Sequence, residues 1–139
     1  MDTTFLSELN WLAILVGALA FFALGAIWYS ALFSKAWIRA SRVDVNDPNM
    51  KKGTGAIMFT SFLFMFLTSF GLAVLQYYLE REGWMSGLKV GLLCGLCFGA
   101  AAITIAYLYE KRPSALHFIN GAYTVLGTAL AGIVVFSWT

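Results

Sequence analysis

Four long apolar runs constrain this chain more than any other feature: roughly Leu9–Phe33, Ala56–Leu79, Leu88–Tyr109 and Ala115–Trp138. A helix rises ~1.5 Å per residue and the hydrocarbon core of a bilayer is about 30 Å thick, so about 20 apolar residues cross it. Each run reaches that length, and none contains Asp, Glu or Arg. Lys89 is the one charge in a run, and it lies near an end where its stem can carry the ammonium to the interface. With 60% hydrophobic and 12% charged residues, the 139-residue chain lacks the polar surface that a soluble domain of this size needs. Hydrocarbon leaves no partner for open backbone groups, so each run must be helical. The predicted fold is all-α: one domain, an integral membrane four-helix transmembrane bundle with a short basic interfacial segment between helices 1 and 2.

The first run is expected to remain in the mature protein. It is too long for a cleaved signal core, no Lys or Arg precedes it, and Asp2 and Glu8 flank its start. A formal net charge of +2 is too small to point to nucleic acid. The expected partner is the bilayer, together with further copies of the chain. A four-span bundle of this size has little interior, and the second run, with Phe59, Phe62, Phe64, Phe66 and Phe70, is apolar nearly all round. A homo-oligomer is the expected assembly.

Charge sets the expected orientation. Seven of the nine basic residues lie in two links on one side: Lys35, Arg39, Arg42, Lys51 and Lys52 between the first two runs, and Lys111 and Arg112 between the last two. Only Arg81 and Lys89 lie on the other side. Positive links stay inside, which places both termini outside the cytoplasm, in the cell (inner) membrane. Lys35, Arg39 and Arg42 follow at i, i+4 and i+7, on one helical face. That face suits a basic helix lying on anionic lipid of the inner leaflet, and equally a solvated extension of the first span. Residues 43–55, with Asn46-Asp47-Pro48-Asn49 and two glycines, read as a loop.

Two stripes mark helix contacts. Gly87, Gly91, Gly95 and Gly99 recur every four residues on the third span, so two backbones can approach closely there. The spacing does not say whether the partner is another span of this chain or a second copy. On the fourth span His117, Asn120, Thr124 and Thr128 form a polar line that must turn inward to find partners.

The chemistry-bearing residues are few. Cys94 and Cys97 form a Cys-x-x-Cys, but thiolate formation deep in the membrane is disfavoured and no second, relay cysteine pair exists. Intramembrane thiol redox work is therefore a distant third reading. One His with two distant Cys is no metal-ligand set, and no motif calls for a cofactor. No span carries the acidic residue that proton-coupled efflux needs. What remains is positional: Trp28, Tyr29 and Ser30 on the first span, Thr104, Tyr107, Tyr109 and Glu110 on the third, and His117, Asn120 and Tyr123 on the fourth. All fall near the cytoplasmic helix ends. Here His117 would hydrogen-bond Tyr29 or Ser30, and Glu110 would pair with Lys35 or Arg112. Two readings follow: a polar, aromatic-lined pocket that binds or conducts a small molecule or lipid without enzymatic chemistry, or a structural subunit in which these groups only lock helices together.

The pattern Asn10-Trp11, Gly25-x-x-Trp28-Tyr29-Ser30 and Phe33-x-Lys35-x-Trp37 resembles a bacterial integral-membrane family catalogued as domain of unknown function 1761. The second half agrees through Glu110-Lys111-Arg112-Pro113, Leu116, Ile119-Asn120, Tyr123 and Gly132 to Trp138. The resemblance implies four transmembrane helices and no assigned activity, and it carries no catalytic residues across.

Overall fold

A computed structural model describes residues 4–32, 34–41 and 54–138. Arg42, Lys51, Lys52 and nearly all of the expected 43–55 loop fall outside them. The described residues form helices and no strand. Four helical stretches are long and apolar enough to cross a membrane: Trp11–Ala31, Gly55–Leu79, Trp84–Glu110 and Ser114–Ser137.

The first span starts at Trp11, two residues later than its apolar run, because Asn10 caps it. The Asn10 Oδ1 accepts the Ala13 N–H at 3.1 Å. Its Nδ2 donates to the Trp138 carbonyl at 2.8 Å, tying the start of the first span to the end of the fourth. Helix α1 (Trp11–Ile27) runs into a π-helical turn over Trp28–Leu32, and α2 (Ser34–Ser41) follows. The second span is α3 (Thr54–Leu79). A short turn with Gly83 at φ 97° leads into the third, which begins at Trp84 rather than Leu88. That span is built of α4 (Trp84–Cys94), a π-helical stretch Gly95–Ala100 and α5 (Ala101–Glu110). Lys111 closes it in the left-handed region at φ 57°. The N–H groups of Lys111 and Arg112 donate back to the Leu108 and Tyr107 carbonyls, satisfying two of the last four. Pro113, in extended backbone at the N-cap position, precedes α6 (Ser114–Ser137), the fourth span.

The fourth span is the hub. Half of its apolar stretch is buried, against 33% for the first span, 17% for the second and 11% for the third. The other three spans all contact α6; the first and second also contact each other, whereas the third leans mainly on α6. One core, at the Asn10 end, joins Phe5, Leu9, Ile14, Leu72, Val135 and Phe136. A second, toward the basic end, joins Phe21, Trp28, Ile119 and Tyr123.

The second span is not uniformly outward-facing. Ile57, Phe59, Phe64 and Leu67 are exposed, but Ser69, Leu72 and Ala73 are buried. Ser69 is fully buried and its hydroxyl donates to the Ile14 carbonyl at 2.8 Å. Gly17 makes room for it: a Cβ there would stand 2.5 Å from the Ser69 Oγ. This contact was not foreseen, because a lone serine in a phenylalanine-rich run carries no periodic signal.

Candidate functional site

The glycine stripe faces α6 of the same chain. A Cβ on Gly87 would run into the Gly132 carbonyl, and one on Gly91 would lie 2.5 Å from the Ala129 Cα and 2.7 Å from the Thr128 carbonyl. At Gly95 the obstacle is the Val125 Cα at 2.8 Å. Gly99 differs: it is half-buried and meets only a side chain, the Thr124 methyl at 2.6 Å. The π-helical stretch explains the change. It turns through fewer degrees per residue than an α-helix, so the fourth glycine falls off the line that four-residue spacing draws on an α-helix.

The polar line of α6 is the surface that meets this stripe. Thr124 and Thr128 do not reach across to another helix through their hydroxyls. They donate to Asn120 and Thr124 carbonyls one turn back, at 2.9 and 2.7 Å. Their remaining bulk seats against Gly99 and Gly95.

Asn120 is the joint between three spans. Its Oδ1 accepts the Tyr29 hydroxyl from the first span, and its Nδ2 donates to the Tyr107 hydroxyl of the third at 2.6 Å. Beside it the Trp28 indole N–H donates to the Ile119 carbonyl at 3.0 Å, and the Tyr123 hydroxyl donates to the Phe21 carbonyl at 3.2 Å. The Tyr29 ring meets Tyr123 edge-on at 5.2 Å and Trp37 of α2 at 6.0 Å. The π-helical turn Trp28–Leu32 carries both Trp28 and Tyr29, the two side chains the first span sends to α6 here. Among the described residues no buried side-chain nitrogen or oxygen lacks a hydrogen-bond partner.

Several expectations need correction. The polar residues do not line one shared pocket: Tyr29, Asn120 and Tyr107 bond each other, while Trp28, Ser30 and Tyr123 donate to backbone carbonyls. Ser30 turns back to the Ala26 carbonyl of its own helix. The Tyr29 and Ser30 hydroxyls therefore do not serve His117, whose ring instead stands edge-on to Tyr107 at 5.4 Å. Glu110 is exposed and pairs with Arg112 at 3.2 Å, one of its two expected partners. Tyr109, at 87% exposure, stands clear of the cluster. Lys35 and Arg39 are exposed on α2, whose Ala40 is buried; α2 docks on α6. The charged face is thus turned away from the bundle. Cys94 is half-buried and Cys97 exposed, both as free thiols.

The space lies beside the joint. A lateral groove of about 610 Å³ runs between the third and fourth spans. Leu96, Ala100, Thr104 and Leu108 form one wall, and Gly121, Ala122 and Val125 the other. Arg112, Ser114 and His117 stand at one end. A smaller groove of about 350 Å³ between the first and second spans is bordered by Gly25, Tyr29, Met58, Ser61 and Tyr123. Of the expected cluster, His117 and Thr104 border the larger groove, Tyr29 and Tyr123 the smaller. The larger groove was not legible in the sequence. Its walls are ordinary Leu, Ala and Val, and the π-helical stretch that presents Leu96 and Ala100 leaves no compositional mark.

Helices, hub and interlocked polar joint define an all-helical, multi-pass membrane protein. Over residues 12–136 the chain matches the family model described as "Protein of unknown function (DUF1761)", and it belongs to that family. No curated protein and no solved structure matches it.

Proposed function

We propose that this protein is a non-enzymatic membrane protein that holds an amphiphilic small molecule or lipid in the lateral groove between its third and fourth spans. The observation that carries the reading is the groove's composition: apolar walls along its length, with Arg112, Ser114 and His117 gathered at one end. That distribution matches an amphiphile with its tail along the walls and its head at the mouth. The Tyr29–Asn120–Tyr107 chain then serves as the brace that fixes one wall against the hub.

A photo-crosslinking experiment tests this. In proteoliposomes doped with a lipid carrying a diazirine on its acyl chain, crosslinks should concentrate on residues 96–108 and 118–125. Ala122→Trp, which places a large ring on an exposed groove wall, should remove most of them. Labelling spread evenly over the exposed second-span residues Phe59, Phe64 and Leu67 as well would mark ordinary boundary lipid and sink the reading.

A second reading has its own support. Every hydroxyl and amide of the joint is satisfied internally, which is what a purely structural subunit requires. Under that reading groove-filling changes nothing but stability. The basic links are proposed to face the cytoplasm, as their Lys and Arg bias indicates. A reporter fused after Thr139 should then read out as extracytoplasmic, and a cytoplasmic signal would invert the arrangement.

A further inference from the structure

We infer that the lateral groove selects a phospholipid with an anionic headgroup, its phosphate at the Arg112–Ser114 mouth and one acyl chain along the wall from Leu108 to Leu96. This rests on the proposed amphiphile-binding reading and adds the charge and depth of the ligand.

Three observations converge. The first is length. Leu96 and Leu108 lie twelve residues apart on the third span, about 18 Å by helical rise. One leaflet of hydrocarbon is about 15 Å, half of the ~30 Å core, so the groove fits a single chain reaching from the headgroup level to the midplane. The second is the sharp change of character along it. Phe118, Ala122 and Val125 give way at the mouth to Arg112, Ser114 and His117, with Lys111 next in sequence. Tail and head thus have separate surfaces in the right order.

The third is the electrostatics of the mouth. The 24-residue helix α6 begins there, and no side chain caps its N-terminus, because Pro113 holds the cap position. The positive end of its dipole and its first N–H groups are aimed at the headgroup level. The one carboxylate at the turn, Glu110, accepts from the Arg112 Nε and Nη2 at 3.3 and 3.2 Å. It holds the guanidinium at the groove's end while offsetting one of two cations, so the turn keeps a net positive charge from Lys111. A zwitterionic headgroup would bring a cation of its own into this field; a phosphodiester with an uncharged or acidic head would not.

The test is native mass spectrometry of the full chain, titrated with phosphatidylglycerol and with phosphatidylcholine of identical acyl chains. The wild type should bind phosphatidylglycerol about fivefold more tightly, the scale set by one cation near an anionic group. Arg112→Gln, at an exposed position, should bring the two affinities together, weakening phosphatidylglycerol more than phosphatidylcholine. Ala122→Trp should weaken both. Equal affinities in the wild type would overturn the inference. So would a preference that survives Arg112→Gln and disappears in Lys35→Gln/Arg39→Gln, which would move the headgroup contact to α2. Those outcomes leave groove binding standing. If neither lipid binds, or if Ala122→Trp alters neither affinity, the amphiphile reading itself fails and the inference goes with it.

Discussion

Gly91→Leu is expected to unseat the third span from the fourth. At this position the neighbours are backbone, not side chain: the Ala129 Cα at 2.5 Å and the Thr128 carbonyl at 2.7 Å from where a Cβ would stand. Backbone cannot rotate out of the way, so the two helices must separate. Overpacking by even a methylene costs about 1–3 kcal/mol in a tight core, and a leucine adds four carbons. The third span has little else to hold it, since only 11% of its apolar stretch is buried and most of its contacts are with α6. A loss of at least ~3 kcal/mol should appear in denaturant titration of the detergent-solubilised protein. Gly71→Ala is the matched control: nothing lies within 4 Å of a Cβ there, and removing a helical glycine is worth up to about 1 kcal/mol of added stability. Equal effects at the two positions would refute the close-approach account.

Asn120→Ala should have the next largest effect, because one deletion strands two hydroxyls from two other helices. Tyr29 loses its acceptor and Tyr107 its donor. A buried polar group without a partner costs about 1–3 kcal/mol, whereas an intact interhelical bond in a membrane protein contributes only ~0.6 kcal/mol on average. Tyr29→Phe strands one group, the Asn120 Oδ1, where Asn120→Ala strands two, so it should cost less, about 1 kcal/mol. In a double-mutant cycle the two changes should be strongly non-additive, with Tyr29→Phe recovering part of the loss in the Asn120→Ala background by removing the stranded hydroxyl. Additive costs in thermal unfolding would show that the joint does not act as one unit.

Length and hydropathy were enough to read four helices from the sequence, since the bilayer sets both. The i+4 glycines announced a close helix contact, but their partner came only with the structure, in which Gly132 of α6 opposes Gly87. The polar residues at the basic end were legible as a set, because Asn, Tyr, Trp and His stand out against Leu and Phe. Their roles were not. Whether Asn120 faces a cavity or two tyrosines depends on helix rotation, and the π-helical turn at Trp28–Leu32 alters that rotation without any sequence signature. Ser69 escaped notice for a related reason: a buried serine facing Gly17 is visible only once two spans are superposed.

Placing the hub in the fourth span, after the three that lean on it, has a consequence for biogenesis. The ribosome delivers α6 after everything that must lean on it, so the third helix enters the bilayer with no lasting neighbour and waits. The first two can associate meanwhile, since they touch each other directly. The bundle then closes on the arrival of α6, and nascent chains stalled before Ser114 should leave the third span open to capture by quality-control proteases while the first pair stays protected.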